Sequence, residues 1–595
     1  MSKNNPSKWA IRPLVPEEVY TDRQEHIDYL YNSALKAITR RSMSTVLLGQ
    51  RRMGKTEIFK RVVNKLFFQQ DDPADLDTSV IPVYFSFPDN IMDKWDFSIK
   101  YVENFLRWYT AFRLGSVEVL SEDEVVAEEL LERIYASFEI TPGLKGALNL
   151  YGELHKKKVI LPEQRAVMLP RRVSDRDEST IVMFLDEFQN TRLPQYNFDI
   201  VGYMQEAVES PTCPHFVTGS AVSILGQEII GRGALFGRFD NETIYPMTEY
   251  WGAELALRAG SYYNVAVTED LAPVLANRCG GNPFYITAVV RQAGKQDKPI
   301  NAQETIDDLL AVDLASGFIW GELSDQVNRW IDRINEYGIS KWILYLAALE
   351  EGNQIDPERI QKELEQKQGT EVSLDKVRDI LVKLSRGDLL EHLDLGGWFR
   401  KLKDPILADF LRAWGRMIVE GESQTNVQDE LRRKYDELSR KISDHKGYLA
   451  EIYMAQVLWN LQGRNMPADY VHTPEDVKVP NMFSYIKNRV RLGAGAGLEL
   501  DIHAGAGKEH WIAESKWRKD RVDRGEVEEF LALAPLVWEH VGKGLRVVRM
   551  WFFSYSGFTP EAEELLGQNQ ILWSDKQDLN RLLDLAGLRR LPEID

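Results

Sequence analysis

The stretch of sequence that decides the fold is Gly49-Gln50-Arg51-Arg52-Met53-Gly54-Lys55-Thr56. It fits the pattern G-x-x-x-x-G-K-[ST] and stands between the apolar run TVLL and an amphipathic stretch that begins KTEIFKRVV. In such a loop the glycines let backbone N–H groups curl around a phosphate, and the following helix adds the partial positive charge of its N-terminus. Lys55 would neutralise the β- and γ-phosphates, and the Thr56 hydroxyl would bind Mg²⁺. The pattern therefore predicts that residues 49–56 bind a nucleoside triphosphate. The alternative, a glycine turn with an unrelated lysine, suits this strand–loop–helix setting poorly.

A second apolar run, residues 181–185, ends in two carboxylates, Asp186 and Glu187. Ligands of parallel α/β sheets bind beyond the carboxyl ends of the strands, which is where these acids would lie. We expect Asp186 to hold Mg²⁺, directly or through water, and Glu187 to polarise the attacking water. The alternative is an ordinary strand end with two solvated acids.

Three further residues are candidates for contact with the γ-phosphate. Ser220 ends the run HFVTGS, where a polar group suits the sensing of a phosphate or a water beside Asp186. Arg232 and Arg238 lie downstream, and arginine is the residue that stabilises phosphoryl charge. Either arginine would touch the nucleotide of its own chain or that of a neighbouring subunit. The equally open alternative is that both pair with surface acids.

Length and composition indicate an ordinary folded, multidomain protein. The chain has 595 residues, of which 44% are hydrophobic and 28% charged, and at ~100–200 residues per domain it holds roughly three or four domains. No signal peptide or long uncharged apolar stretch is present, so we expect neither secretion nor membrane binding. Cys213 and Cys279 are too few and too isolated for a disulfide framework, which favours the reducing cytoplasm.

The charge balance limits where nucleic acid could bind. Lys and Arg number 73 against 91 Asp and Glu, giving a net charge of −18, which is unlike a general nucleic-acid coat protein. Short basic runs remain, namely QRRMGKTEIFKR, HKKKVILPEQR, YIKNRVRLG and KWRKDR. Phosphate contacts are local, so such runs are able to bind DNA, although each taken singly is also explained as a solvated face.

Alternating apolar runs and amphipathic stretches predict an α/β multidomain chain built on a parallel sheet. The predicted divisions are an N-terminal arm (1–30), a phosphate-binding core (31–248) with a mostly helical insertion at about 98–178, a helical lid (249–335), a winged helix (336–415), a helical linker (416–445) and a second α/β domain (446–595).

The last domain carries a second group of candidate catalytic residues. In GLELDIHAGAGKEHWIAESKW, two strands joined by a glycine-rich turn bring Asp501, Glu514 and Lys516 within reach of one another, with Leu500 and Ile502 on the opposite face. Glu451 lies upstream on an amphipathic helix among apolar neighbours. Carboxylates that hold Mg²⁺ beside a lysine are the parts needed to cut a phosphodiester. The alternative is a cross-strand ion pair between Asp501 and Lys516.

Several motifs resemble those of a known family. The set GQRRMGKT, LDEFQ, TGSAVSIL, ALFGRFDNETIYPM and GGNPFY, in this order, is similar to the archaeal-type ATPases of the STAND branch of P-loop NTPases, relatives of the AAA+ proteins. The segment KLKDPILADFLRAW resembles the one that ends the winged helix of that family. The resemblance implies ATP binding, slow or regulated hydrolysis used as a switch, and assembly through the ATPase domain. The long insertion before residue 180 departs from the family pattern.

The C-terminal order of helix, hairpin, helix, strand and helix, with the turn FSYSGFT, resembles the PD-(D/E)xK nuclease fold. The resemblance implies that Glu451, Asp501 and Glu514 hold Mg²⁺ or Mn²⁺ and that Lys516 assists cleavage. The first acid follows Leu500 rather than a proline, which is a departure from the pattern.

The preferred hypothesis is an ATP-switched, Mg²⁺-dependent DNA endonuclease, with a defence role against foreign DNA suggested by architecture alone. The alternative is a STAND ATPase without nuclease activity that serves as a DNA-binding regulator or protein scaffold. A helicase-like motor fits less well, since no second motor core is found.

Overall fold

The computed structural model describes residues 9–70, 77–89, 92–121, 125–192, 198–219, 229, 233–334, 336–369, 371–393, 397–439, 445–491, 499–542 and 544–592. The chain divides into two compact units. Unit 1 comprises Met1–Pro246, Asn282–Ala288 and Val312–Gln428. Unit 2 comprises Met247–Gly281, Val289–Ala311 and Asp429–Asp595.

Unit 1 contains a five-stranded parallel sheet. Its strands are β1 (Ser44–Leu48), β2 (Val80–Ser86), β3 (Thr180–Asp186), β4 (His215–Thr218) and β5 (Phe239–Thr243). They lie in the order β2-β3-β4-β1-β5, and every neighbouring pair is parallel. Strands β1, β3 and β4 are buried along their whole length, as expected when helices cover both faces of a sheet. The predicted parallel α/β sheet is confirmed.

Helices surround this sheet and fill the predicted insertion. They are α1 (Gln24–Lys36), α2 (Lys55–Phe68), α3 (Lys94–Leu114), α4 (Ala127–Ser137), α5 (Pro142–His155), α6 (Pro162–Val167), α7 (Leu169–Asp177) and α8 (Met204–Ala207), with short 3₁₀ turns at Ala37–Thr39, Val117–Leu120 and Phe188–Arg192. Helix α3 begins where Asp93 accepts hydrogen bonds from the backbone of Trp95 and Asp96, and it ends at Gly115, whose φ of 59° suits a helix C-terminus. Phe184 joins α2 to β3 and β4 through edge-to-face contacts with Phe59 at 5.4 Å and Phe216 at 5.2 Å.

The segment predicted as a lid is helical. Its helices are α9 (Glu249–Tyr263), α10 (Ala272–Arg278), α11 (Pro283–Lys295), α12 (Gln303–Ser316) and α13 (Phe318–Ile334). Helices α9 and α10 belong to unit 2 and α13 to unit 1, while α11 and α12 contain residues of both units. The lid boundary of 249–335 therefore stays a prediction.

The last part of unit 1 combines four helices with three short strands over the described residues of 337–418. Its elements are α14 (Tyr337–Leu349), β6 (Gln354–Ile355), α15 (Pro357–Gln368), α16 (Leu374–Ser385), β7 (Glu391–Leu393), β8 (Trp398–Arg400) and α17 (Pro405–Ile418). The strands form an antiparallel sheet in the order β6-β8-β7. Asp356, Ser373 and Asp404 cap the helices that follow them, which fixes where each helix starts. The winged-helix assignment itself stays a prediction.

Unit 2 is built on a second five-stranded sheet. Its strands are β11 (Tyr485–Arg491), β12 (Glu499–Ala506), β13 (Glu509–Lys516), β14 (Val547–Ser554) and β15 (Leu572–Ser574), preceded by a separate antiparallel pair, β9 (Asn465–Met466) and β10 (Val477–Lys478). The order is β11-β12-β13-β14-β15, antiparallel from β11 to β13 and parallel from β13 to β15. The accompanying helices are α18 (Gln424–Ser439), α19 (His445–Asn460), α20 (Ala468–Val471), α21 (Arg524–Leu531), α22 (Leu533–Val541), α23 (Pro560–Gln568) and α24 (Lys576–Leu585).

Two apolar cores flank the sheet of unit 2. One contains residues of α19 and α24 with Trp511 and Trp551, and the other contains residues of α21 and α23 with Phe530 and Phe552. Large apolar groups pack on both faces of this sheet. Several polar side chains of its strands lie near the strand ends. No helix in the described ranges is long and apolar enough to span a bilayer. Cys213 and Cys279 are both buried.

Candidate functional site

The loop 49–54 joins β1 to α2 in unit 1 and has the backbone that its glycines permit. Gly49 has a φ of 153°, and a Cβ atom there would lie 2.8 Å from the carbonyl oxygen of Ile244. Gly54 has a φ of 90° at the N-cap of α2. Side chains at either position would be strained, and at Gly49 also obstructed by backbone. The predicted glycine turn between strand and helix is present.

Lys55 is buried at the first residue of α2 and is held by its own loop. Its Nζ donates to the carbonyl oxygens of Gly49 at 2.6 Å and Gln50 at 2.7 Å. Burial lowers the pKa of Lys55 to about 8, against the attraction of Asp388, Asp186 and Glu187. Nucleotide phosphates would replace the two carbonyls as acceptors for this ammonium group.

The two arginines of the loop have different surroundings. Arg52, with a φ of 65°, donates to Gln326 at 3.0 Å and to the Glu322 carboxylate at 3.0 Å, both on α13. Its guanidinium lies 5.4 Å from the ring centroid of Phe284. Burial lowers the pKa of Arg51, with Glu187 and Asp388 opposing. Arg51 therefore belongs to the site, whereas Arg52 connects the loop to α13.

Of the other predicted loop residues, Met53 is buried in the core of unit 1, Gln50 contributes its carbonyl group, and Thr56 is half-buried at the second residue of α2. Arg51 and Glu187 line one cavity of about 50 Å³ together with Gln189, Arg329 and Asp388.

Asp186 and Glu187 lie at the carboxyl end of β3, at the same sheet edge as the loop. Asp186 is 2% exposed, and its two oxygens accept from the Tyr84 hydroxyl at 2.8 Å and the Glu187 backbone N–H at 2.8 Å. Glu187 has a φ of 52° and accepts a hydrogen bond from the Gln189 side chain. Burial and the Asp186 charge raise the pKa of Glu187, while Arg51 and Lys55 lower it. A carboxylate with a raised pKa is suited to act as a general base.

Of the remaining predicted phosphate contacts, only Arg238 lies among the described residues. Ser220 and Arg232 lie outside the described residues. Arg238 immediately precedes β5, whose first residue, Phe239, pairs with Ser44 at the start of β1. The loop follows the other end of β1, five residues or about 16 Å away. The expectation that Arg238 contacts its own chain's nucleotide is therefore wrong, because in parallel strands both starts lie at the edge opposite the phosphate loop. Arg238 instead pairs with Glu209 at 2.8 Å.

Two residues that no sequence motif indicated face the nucleotide site. Tyr84 on β2 holds Asp186, and Asp388, after α16, lines the cavity and attracts Lys55 and Arg51. The pairing of β2 with β3 brings Tyr84 close to Asp186, so a correctly predicted sheet order would have indicated Tyr84. The position of Asp388 depends on how distant segments of unit 1 pack, for which the sequence carries no local signal.

In unit 2 the four predicted residues of the last domain do come together. Asp501 accepts from the backbone N–H and the hydroxyl of Ser515 at 2.7 and 3.1 Å, and Lys516 donates to Glu514 at 2.9 Å. Burial and the Asp501 charge raise the pKa of Glu514 to about 7, against the attraction of Lys516. Burial also raises the pKa of Asp501. These acids thus lie within electrostatic range of one another.

Glu451, on α19, faces the same cluster and is paired with Arg489 of β11. The guanidinium donates to both carboxylate oxygens of Glu451, at 3.0 to 3.2 Å. Burial, opposed by hydrogen bonds from Arg489 and aided by Asp501, raises the pKa of Glu451 to about 8. Arg489 lies in the run YIKNRVRLG, which the sequence indicated only as a basic patch.

The alternation expected for β12 is interrupted next to Asp501. Leu500 packs with Ile512 in the core of α21, whereas Ile502 packs with Trp511 in the core of α19. The prediction that Leu500 and Ile502 share a face is therefore wrong. Pairing of β12 with β13 covers Ile502 onward, and Arg489, between the paired residues of β11, has a φ of 52°. The local distortion places Asp501 at a change of face.

The donor atoms suit divalent cations at both sites. At the loop, Thr56 and Asp186 supply the hydroxyl and carboxylate oxygens that Mg²⁺ uses alongside substrate phosphates. In unit 2 each carboxylate is bonded to a neighbouring group of the chain. Over the part of the chain that the structure describes, no set of three or more acidic, histidine or cysteine side chains is arranged to hold a metal ion. With Glu451 bonded to Arg489, the acid cluster has the donor types for a divalent cation but not an open arrangement of them.

A parallel sheet with a G-x-x-x-x-G-K-T loop between its β1 and α2, and carboxylates at the end of a nearby strand, defines the fold of unit 1 as that of a P-loop NTPase. Three solved structures are similar to the chain. The Walker-type ATPase of Pyrococcus abyssi is 17% identical, with a TM-score of 0.44 over 68% of this chain and 99% of that one.

Two Aeropyrum pernix proteins are also similar. The ORC2 protein, solved in ADPNP–ADP complexes, is 13% identical, with a TM-score of 0.38 over 71% of this chain and 97% of that one. The ORC1 protein, solved in complex with DNA, is 14% identical, with a TM-score of 0.35 over 67% and 94%. No protein-family model and no curated protein matches the chain. Because these TM-scores are below 0.5, the fold assignment rests on the strand order and the loop.

Proposed function

We propose that this chain is an ATPase of the STAND and AAA+-related kind that uses ATP binding and hydrolysis as a switch. The observation that carries the proposal is that Lys55, Asp186 and Glu187 meet at one edge of a parallel sheet, beside a glycine loop. Asp186 and Glu187 both attract the Lys55 ammonium group, so the three side chains lie close in space. Their proximity comes from the fold, because Lys55 and Asp186 are 131 positions apart in the sequence.

Each residue has a definite role in this proposal. Backbone N–H groups of residues 49–54 and the start of α2 bind the phosphates, and Lys55 neutralises them. Mg²⁺, which polarises the γ-phosphate, would be held by Thr56 and Asp186. Glu187 accepts a proton from the attacking water, and Tyr84 keeps the Asp186 carboxylate in place.

The test is equilibrium binding of a fluorescent ATP analogue, together with phosphate release, by the full chain. Lys55→Ala is expected to abolish binding at micromolar nucleotide, whereas Glu187→Gln is expected to bind and not hydrolyse. Lys65→Ala is the matched control, since Lys65 lies on the same helix but pairs with Asp28 at 2.9 Å. Equal binding by Lys55→Ala and Lys65→Ala would contradict the proposal.

A second activity is supported by the acid cluster of unit 2. We infer that Glu451, Asp501, Glu514 and Lys516 form the active site of a PD-(D/E)xK-like nuclease that requires Mg²⁺ or Mn²⁺ and acts on DNA. Support comes from Asp501, whose charge acts on Glu451 of a distant helix and on Glu514 and Lys516 of the neighbouring strand. Lys487 and Arg491 are exposed on β11, an edge strand, where they suit contacts to a phosphate backbone.

In this proposal the nucleotide state controls cleavage, and foreign DNA is the target that the architecture suggests by analogy. The protein would work in a reducing cytoplasm, in keeping with its content of only two cysteines, Cys213 and Cys279. Subunits would associate through the ATPase unit, with Arg238 completing a neighbour's nucleotide site.

The nuclease is tested on plasmid and linear DNA with Mg²⁺ or Mn²⁺, with and without ATP. Asp501→Asn and Lys516→Ala are expected to abolish cutting. Glu509→Gln is the control, because Glu509 lies at the other end of β13 and bonds Trp511 at 2.8 Å. If the wild-type chain cuts no DNA under any of these conditions, the alternative holds: a STAND ATPase that acts as a DNA-binding regulator or scaffold.

A further inference from the structure

Arg489 is bonded to Glu451, one of the three carboxylates that would hold a cation in the acid cluster. Both oxygens of Glu451 accept hydrogen bonds from its guanidinium, and the Glu451 side chain is only 4% exposed. A bidentate guanidinium uses one lone pair on each carboxylate oxygen, and its positive charge repels a further cation at the same group. The acids of the cluster are present, but this contact occupies one of them.

The surroundings hold the guanidinium in place. It lies 4.6 Å from the ring centroid of Tyr448, one turn before Glu451 on α19, so the same helix supplies both the aromatic face and the carboxylate. The Arg489 backbone has a φ of 52°, a conformation that L-residues other than glycine rarely adopt. The strand departs from regular geometry at the residue whose side chain fills the cluster, which indicates a built contact rather than a chance ion pair.

The carboxylates near Arg489 carry negative charge that a cation beside Glu451 compensates. The Asp501 charge acts against both Glu451 and Glu514, and Lys516 compensates Glu514 at 2.9 Å. Arg489 supplies the remaining positive charge beside Glu451 and Asp501. It thus stands where a divalent cation would otherwise balance these carboxylates.

We propose that Arg489 closes the acid cluster: its guanidinium takes the place of a divalent cation at Glu451, and the cluster binds metal tightly only after Arg489 has moved away. This inference rests on the proposed nuclease function. A phosphate group of a bound nucleic-acid strand is the natural acceptor for the released guanidinium, because it matches the same planar fork. Substrate binding would then open the metal site.

The experiment measures Mn²⁺ binding by the nucleotide-free full chain, by calorimetry and by the electron paramagnetic resonance signal of free Mn²⁺. Arg489→Gln removes the charge and keeps a polar side chain. Arg491→Gln is the matched control, since Arg491 lies two residues along the same strand, is 75% exposed and pairs with Glu499 rather than with the cluster. Adding Asp501→Asn to each protein identifies which binding belongs to the cluster.

Arg489→Gln is expected to tighten the Asp501-dependent Mn²⁺ site by about tenfold or more, because a full positive charge leaves its immediate surroundings. Arg491→Gln is expected to change it less than about twofold, since its charge is solvent-exposed. Arg489→Lys keeps the charge without the fork and is expected to lie between wild type and Arg489→Gln. Thermal unfolding in EDTA and in Mn²⁺ provides a second measurement: Mn²⁺ should stabilise Arg489→Gln more than wild type.

Equal Mn²⁺ affinity of wild type and Arg489→Gln at an Asp501-dependent site would overturn the closure by Arg489 and leave the nuclease proposal standing. Absence of any Asp501-dependent site in all variants that remain folded in EDTA would overturn both. If Arg489→Gln does not fold, Arg489→Lys decides: unchanged affinity relative to wild type overturns the closure.

Discussion

Replacing Tyr84 by phenylalanine tests the link between the sheet and the proposed Mg²⁺ ligand most directly. The Tyr84 hydroxyl donates to Asp186 at 2.8 Å, and this carboxylate is 2% exposed. The other oxygen of Asp186 still accepts a hydrogen bond from the Glu187 N–H at 2.8 Å. The substitution therefore leaves one buried oxygen of Asp186 without its donor. The ring of Tyr84 itself is buried and would stay in place.

The size of the effect follows from these contacts. A hydrogen bond to a charged group contributes about 1.5–3 kcal/mol, which is the expected fall in the free energy of unfolding measured in urea. Loss of a group that orients a metal ligand typically costs about 10–100-fold in metal affinity or activity. We therefore expect the Mg²⁺ concentration for half-maximal ATP hydrolysis to rise by about that factor in Tyr84→Phe, with ATP binding in the absence of metal little changed.

Tyr101→Phe is the matched control. Tyr101 is buried in the same core and packs on Phe85 at 4.9 Å, but its hydroxyl has no hydrogen-bond partner among the residues that the structure describes. Its removal is expected to leave the Mg²⁺ dependence unchanged and stability equal or slightly higher. If Tyr84→Phe and Tyr101→Phe show the same Mg²⁺ titration, Tyr84 does not position Asp186 and the assignment of Asp186 is refuted.

Two other residues lead to predictions of different kinds. Burial lowers the pKa of His215 from its usual 6.5 to about 4. Between pH 6.5 and pH 4, His215 therefore binds a proton in the unfolded chain but not in the folded chain. The free energy of unfolding falls as the pH drops from 6.5 to 4. The fall approaches about 3 kcal/mol, and denaturant unfolding of His215→Leu should show a flatter pH profile; identical profiles would contradict the assignment. Arg238→Ala is expected to bind ATP normally but to lose the part of its turnover that rises with protein concentration, by about 10³-fold if the arginine acts in a neighbour's site. Unchanged turnover at all concentrations would show that Arg238 only pairs with Glu209.

The local parts of the fold could be predicted from the sequence. The phosphate loop is readable because the glycine positions and Lys55 lie within eight consecutive residues, and β3 is readable because a buried apolar run ends in two acids. That Glu514 and Lys516 lie side by side is likewise predictable, since residues two apart on a strand point the same way.

What the sequence did not reveal depends on register and on distant packing. Arg238 looked suited to the nucleotide of its own chain until the pairing of Phe239 with Ser44 placed it at the other edge of the sheet. Asp388 reaches Lys55 from 333 positions away, and Arg489 reaches Glu451 from another element of unit 2. The split of Leu500 and Ile502 between two cores results from a strand distortion that no alternation pattern encodes.

The backbone of Glu187 has a consequence for how this protein tolerates change. A φ of 52° costs a non-glycine residue about 1–2 kcal/mol, so Glu187→Gly should make unit 1 harder to unfold while removing its proposed base. A screen for thermal stability would then select Glu187→Gly, a variant without the proposed base. The native chain is less stable than this variant because it keeps a carboxylate at the end of β3.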